Sequence, residues 1–260
     1  MEQKLITENP KGHSVAGWTR PQAVDRGQQK ITDVIRWLGW FDYSDRATLA
    51  AMLGVSKDGQ SAFFKRLEAS GFVTIDQAPG IRKAIYTLGD AGFEYASMLL
   101  PELELKRRRR LPAWVTLIHS FSVQAAVVAR MSDVASIKPE KALKYLRAIR
   151  LPDAILTLKD GTQVALEVEL NHKSSARVYS IYLSHLKNIR NNHYDRVVYL
   201  FPNHGLCELY RDKFVQPVWP IYRSSGAGGK LVQDPQQSFN SAAIQEGNLF
   251  TFDVETMYSL

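Results

Sequence analysis

One stretch constrains this chain more than any other: LPDAILTLKDGTQVALEVEL, residues 151 to 170. Apolar residues flank Asp160-Gly161, a pair that favours tight reversal, so the segment reads as a β-hairpin. The turn length fixes which side chains meet. A two-residue Asp-Gly loop sets Asp153 opposite Val168, on the wrong face. A three-residue loop has Lys159 and Asp160 in a type I turn and Gly161 left-handed in a bulge. It pairs 158 with 162 and brings Asp153 opposite Glu167. Glu169 follows on the same face as Gln163 and Ala165, while Val164, Leu166, Val168 and Leu170 point the other way. The expectation is one core face and one polar face.

Directly opposed residues have Cβ atoms about 4.5 to 5.5 Å apart, so the two acids repel unless a counter-ion lies between them. A divalent cation resolves the repulsion, because Mg²⁺ or Mn²⁺ prefers carboxylates and keeps positions open for water and phosphate. The competing reading is a solvent-facing sheet whose acids serve solubility.

Around the hairpin the pattern is α/β. A helix is expected over about 115 to 131, strands over about 143 to 149, 152 to 158 and 163 to 170, a helix over about 174 to 192, and the strand RVVYLF at 196 to 201. Val178, Ile181, Tyr182, Leu186 and Ile189 give that second helix an apolar face to cover the sheet. The final NLFTFDVETMYSL offers an edge strand. SSGAGGK, residues 224 to 230, fails as a phosphate loop because Ser224 replaces its first glycine and Leu231 follows the lysine. His172 reads as a polar cap.

The first part of the chain is organised differently. Residues 1 to 25 are polar and are expected to form a flexible arm. Residues 26 to 105 give helix, helix, turn, helix, two short strands about a Pro-Gly tip, and a last helix, the order of a winged helix-turn-helix. Ile31, Val34, Ile35 and Leu38, then Leu49, Met52 and Leu53, then Phe63, Phe64 and Leu67 supply three faces for one small core. Ser56 is placed to cap the third helix. RLEASGFV and the following LGDAGFEYA resemble the winged-helix families. In such a domain Gln60, Ser61, Lys65 and Arg66 of the third helix and Arg82 and Lys83 of the wing are the candidates for DNA contact. Many winged helices instead dock proteins, and basic side chains on a helix usually form a solvated face.

Residues 106 to 113 read as a basic linker, with Lys106, Arg107, Arg108, Arg109 and Arg110 in one run that repels itself unless an anion lies nearby. A backbone strap on DNA is the functional reading. The net charge of +7 fits a polyanionic partner. The single cysteine permits no internal disulfide and points to a reducing, cytoplasmic setting. The apolar stretch LPAWVTLIHSFSVQAAVVAR is broken by His119, Ser120, Ser122 and Gln124, so no membrane insertion is expected.

At PDAIL and ALEVEL the second domain, residues 114 to 260, resembles the PD-(D/E)xK nuclease core. The fold that follows is an α/β chain with an all-α-type N-terminal module: a winged helix-turn-helix, then a restriction-endonuclease-like mixed sheet flanked by helices. Glu169 stands where that core normally has lysine, and Lys173 supplies a displaced positive charge. The resemblance makes Asp153, Glu167 and Glu169 ligands of Mg²⁺ or Mn²⁺. Glu169 stays open between metal ligand and general base. Gln124 or His119 stands in for an acid on the preceding helix.

The wider pattern over residues 28 to 201 resembles the plasmid replication-relaxation family, with the MobC-type mobilisation relaxases the nearest group. That resemblance implies a metal-dependent endonuclease. It would nick double-stranded plasmid DNA at a transfer origin, working with accessory mobilisation proteins and a coupling protein. Asp153, Glu167, Glu169 and Lys173 would be its catalytic residues. Tyr179, Tyr182 and Tyr194 are the candidates for a covalent route, with packing as their ordinary role. The rival readings are a non-catalytic repressor or replication initiator, and a host-defence restriction nuclease. Oligomeric state is not legible.

Overall fold

In a computed structural model, residues 19–56, 58–77, 83–107, 110–146, 150–225, 230–245 and 247–258 are described. The chain divides into two compact units, Met1–Ser136 with Tyr258–Leu260, and Ile137–Met257.

The first unit opens with α1 (Arg20–Phe41), β1 (Tyr43–Asp45), α2 (Arg46–Met52) and α3 (Ser61–Ala69). β2 (Val73–Asp76), β3 (Ile85–Leu88), α4 (Asp90–Leu99) and α5 (Trp114–Arg130) complete it. The three expected helical faces are buried, with Val34, Ile35, Leu38, Leu49, Phe64 and Leu67 at the centre. The short strands pair antiparallel in the order β1-β3-β2. Helices and strands thus follow the expected order, with β1 added.

Three boundaries differ from expectation. Helix α1 begins at Arg20, inside the expected arm, because Thr19 and Gln22 form a capping box and Pro21 sits in the first turn. Residues 1 to 18 lie outside the described part. Helix α3 is preceded by a 3-10 turn, Asp58–Gln60, so its cap position is Gln60 and Ser56 does not cap it. The third correction concerns α5, which was expected to open the second domain. Gln124 is fully buried, accepts the Trp37 indole N–H at 2.8 Å and donates to the Tyr43 carbonyl at 2.9 Å. Phe121 packs edge-on against Tyr43 with ring centroids 5.9 Å apart. These contacts tie α5 into the first unit, which ends at Ser136 rather than before Trp114. Gln124 therefore serves as a core hydrogen-bond bridge of the first unit, not as the expected stand-in for an acid beside the hairpin.

The second unit is built on a five-stranded sheet in the order β10-β7-β6-β5-β4. The chain passes from the first unit to the second within β4 (Val134–Pro139). A 3-10 segment, Glu140–Leu146, occupies much of the stretch expected to be a strand over 143 to 149. Its sequence EKALKYL lacks strand alternation and anchors through Leu143 alone among its fully buried residues. β5 (Ala154–Leu158) and β6 (Gln163–Val168) form the hairpin. Its register, Ala154 against Leu166 through Thr157 against Gln163, is that of the three-residue loop. Gly161 has φ +90°, and Leu158 exchanges backbone bonds with Thr162 and Gly161.

Helix α6 (Ser175–Arg190) crosses over to β7 (Arg196–Phe201), which runs parallel to β6. α7 (His204–Phe214) follows, then the antiparallel ribbon β8 (Val218–Ser225) and β9 (Lys230–Asn240). The last strand, β10 (Phe250–Val254), lies parallel to β7 as the expected edge strand. One large core joins Ala165, Val197, Tyr199 and Phe201 of the sheet to Val178, Ile181 and Tyr182 of α6 and to Tyr210 and Phe214 of α7. The face carrying Glu167 is therefore the helix-covered core face. Leu156, Val164, Leu166 and Val168 on the opposite face are buried too, so the expected polar face does not exist.

Candidate functional site

Three acids were expected to share one face; Glu167 lies within the paired register, and Asp153 and Glu169 stand just beyond the ends of their strands. Alternation from the Ala154–Leu166 pair sets Asp153 against Glu167, and Glu167 in turn lies beside Tyr199 of β7. What surrounds them was not expected. Glu167 is 1% exposed and Glu169 2% exposed. A carboxylate taken that far from water persists only with compensating charge.

Arg150 supplies it. Its guanidinium donates to both oxygens of Glu167, Nη2 to Oε2 at 2.8 Å and Nε to Oε1 at 3.3 Å. His185 of α6 brings Nε2 within 3.1 Å of Glu167 Oε1, near enough for charge to matter although not aligned as a hydrogen bond. Its Nδ1 meets the Tyr194 hydroxyl at 2.6 Å. Asn188, one turn further along α6, donates to the Arg150 carbonyl at 2.8 Å and to the Tyr194 hydroxyl at 3.0 Å. Burial alone would raise the Glu167 carboxyl, but Arg150 and His185 outweigh it and hold the group well below the usual glutamate range.

Glu169 has a different balance. It pairs with Lys173 four residues on, in the position expected of a displaced positive charge. Desolvation nevertheless dominates and pushes its carboxyl upward, with Lys173 offsetting only part. Asp153 is half-buried, and its Oδ2 accepts the Val168 N–H at 2.7 Å. Two cations of the chain itself thus face two buried acids.

The divalent ion implied by the nuclease resemblance does not fit these side chains as they stand. Glu167 gives both oxygens to Arg150, Glu169 is taken by Lys173, and Asp153 closes on backbone. Among the described residues no group of three His, Cys, Asp or Glu is placed to hold a metal.

The tyrosines considered for a covalent route are packed instead. Tyr182 is fully buried and donates to the Tyr210 carbonyl at 2.9 Å, and Tyr194 belongs to the Arg150 network. Burial raises the hydroxyl pKa of Tyr179, Tyr182 and Tyr194. Sequence reading missed Arg150, His185 and Asn188, and singled out Tyr194 as a candidate nucleophile rather than as a member of this network. The available signal was two polar residues, His185 and Asn188, three apart within the helix that carries Val178, Ile181 and Tyr182.

In the first unit Ser61 and Lys65 are exposed one helical turn apart on α3. Gln60 is partly withdrawn, accepting from Lys30 Nζ at 3.2 Å. Arg66 does not share the Ser61–Lys65 stripe. With Phe63, Leu67 and Ser70 it forms one wall of a cleft of about 460 Å³ whose other wall is Arg20, Ala23, Val24, Gly27 and Ile31 of α1. Lys83 lies over the Tyr258 ring at 4.3 Å, and Tyr258 donates its hydroxyl to Asp45, the cap of α2. Arg46, not singled out in the sequence, donates to Ser61 Oγ at 2.7 Å and lines a hollow with Asp45, Asp58 and Lys83.

Of the basic run, Arg107 bonds to Asp90 and to Glu94 (2.9 Å) on α4, and Lys106 pairs with Glu104 at 3.4 Å. The anions that relieve this run's repulsion are thus partly the chain's own. Arg110 is exposed, while Arg82, Arg108 and Arg109 lie outside the described residues. No helix of the described residues is long and apolar enough to cross a membrane.

No protein-family model matches this chain, and no curated protein does. Among solved structures, a mutant of Lactococcus lactis ZitR in its apo form is similar over 35% of this chain and 73% of that chain, at 18% sequence identity and a TM-score of 0.27, too low to bear on function.

Proposed function

We propose that this protein binds duplex DNA through its first unit and cuts one strand with its second, as a nickase acting on a plasmid transfer origin with mobilisation and coupling proteins. The observation that carries the reading is the hairpin register. Continued one residue past the Ala154–Leu166 pair, it brings Asp153 opposite Glu167, with Glu169 two residues on and Lys173 beside it. That is the order of acidic and basic groups that the PD-(D/E)xK resemblance calls for, on a five-stranded mixed sheet that we read as restriction-endonuclease-like. The first unit is read as a winged helix-turn-helix, on the order of its helices and strands. Exposed Ser61 and Lys65 on α3 and Lys83 at the wing's base would meet the duplex.

In the second unit Arg150 and Lys173, 27% and 26% exposed, are the cations that a phosphodiester can reach. Glu169, whose basicity burial raises, is the acid better suited to take a proton from an attacking water. In a nuclease of this kind Mg²⁺ or Mn²⁺ supplies Lewis acidity at the phosphate. No step is assigned to it here, since Arg150 holds Glu167.

That same ion pair favours a second reading, a non-catalytic DNA-binding protein in which the buried charges are structural. The deciding experiment is conversion of supercoiled plasmid carrying the neighbouring intergenic region, with Mg²⁺, Mn²⁺ or EDTA, by wild type and by Glu167→Gln. Metal-dependent open circles absent with the variant support the nickase. Tight binding with supercoils intact under every condition supports the second reading.

A further inference from the structure

We propose that Arg150 is the resident cation of this site, standing at Glu167 where a divalent ion would otherwise bind and closing that carboxylate to metal in the free protein. The inference rests on the nuclease reading only for the metal's expected place. The closure itself follows from charge and access.

Glu167 is 1% exposed and the Arg150 side chain 27% exposed, so the guanidinium is the outer partner and the carboxylate the inner one. A planar guanidinium that spans both oxygens of a carboxylate satisfies the lone pairs a metal would need. Asn188 fixes the Arg150 backbone carbonyl, Glu167 is the acid that the guanidinium bonds, and Glu169 adds its charge. His185 Nε2, 3.1 Å from Oε1, crowds the same oxygen from the helix side. A metal approaching Glu167 must therefore displace a fork-shaped, permanently charged group rather than water.

The lysine at Glu169 is different. Its point charge meets one carboxylate oxygen, Oε1, across one helical-turn spacing of chain. The guanidinium is therefore the lock of the pair. Removing its charge while keeping its apolar stem leaves Glu167 a buried anion with His185 alone to offset it. The cheapest remaining counter-ion is a small divalent cation, with Asp153 across the hairpin and Glu169 two residues on as neighbours.

The experiment is Mn²⁺ titration of the full chain without DNA, read by the electron paramagnetic resonance signal of free Mn²⁺. Wild type, Glu167→Gln, Arg150→Met, Arg150→Lys and the double variant Arg150→Met with Glu167→Gln are compared. Wild type should show no binding that depends on Glu167. Arg150→Met should gain a site at least about tenfold tighter, lost again in the double variant. Arg150→Lys retains the charge but not the fork, and should gain a smaller, roughly threefold increase. That variant decides the matter should Arg150→Met not fold, as judged by circular dichroism.

Wild type taking up one Mn²⁺ that Glu167→Gln abolishes would overturn the proposal. So would folded Arg150 variants that bind no better than wild type. A Mn²⁺ site gained by the Arg150 variants, beside wild type that leaves the plasmid supercoiled with Mg²⁺, Mn²⁺ or EDTA alike, keeps Arg150 as the resident cation and sinks the nickase instead.

Discussion

Trp37 donates its indole N–H to Gln124 at 2.8 Å, joining α1 to a helix 87 residues further along the chain. Gln124 in turn donates to the Tyr43 carbonyl, so one buried amide satisfies two groups that have no water. Gln124→Leu keeps the volume and removes both bonds, leaving the buried indole N–H without its acceptor. The expected cost is about 2 to 4 kcal/mol in urea unfolding of the first unit. A loss under about 0.5 kcal/mol would mean that α5 is not part of that core.

Two glycines in helices of this unit should respond in opposite directions. A Cβ at Gly27 of α1 meets nothing within 4 Å, so Gly27→Ala should stabilise by about 0.5 to 1 kcal/mol through helix propensity. At Gly92 of α4 a Cβ would stand 1.9 Å from the Phe72 carbonyl oxygen, which is backbone and cannot step aside. Gly92→Ala should lower stability by about 2 kcal/mol or more. Thermal melts of the two variants beside wild type test both signs, and a neutral Gly92→Ala would refute that close approach.

Acid should find Glu167. Its folded-state pKa lies below the unfolded one. The carboxylate therefore contributes stability that is fully present above the ordinary value of 4.5 and is lost as pH falls from there towards about 2. Glu169 acts in the opposite sense: its raised pKa gives stability below the ordinary glutamate range that is lost as pH rises through the raised value. Melting temperature against pH should fall less steeply on the acid side in Glu167→Gln than in wild type, from a lower neutral-pH plateau. Equal acid slopes would show that Glu167 is not the paired carboxylate.

On the proposed DNA-binding reading, Lys65 and Arg66 separate although they are neighbours in sequence. Lys65→Ala should weaken duplex binding at every sequence tested and reduce the slope of log affinity against log salt by about 1. Arg66 faces the cleft with α1, so Arg66→Ala should change affinity less than about twofold. Fluorescence anisotropy over a range of salt concentrations measures both, and a reversed ranking would place the duplex on the α1 side of α3.

The sequence by itself determined the local structure around its strongest periodicities. Asp160 and Gly161 set a three-residue loop because Gly161 alone there adopts φ +90° without cost, and that loop dictated that Asp153 faces Glu167. The apolar spacings of α1, α2 and α3 likewise selected Val34, Leu38, Leu49, Phe64 and Leu67 for the core. Tertiary structure decided what alternation cannot carry: which face of a strand is covered, and by whom.

Glu167 read as part of a polar, metal-holding face because polar residues alternate with apolar ones, yet α6 lays Val178, Ile181 and Tyr182 over that face. The acid survives there through Arg150, 17 positions earlier, and His185, 18 positions later. Gln124 read as part of the second domain because it precedes the hairpin, and its partners at Trp37 and Tyr43 are 87 and 81 residues away. Buried polar groups choose partners by hydrogen-bond geometry across the fold, so their identity is written in long-range packing rather than in spacing along the chain.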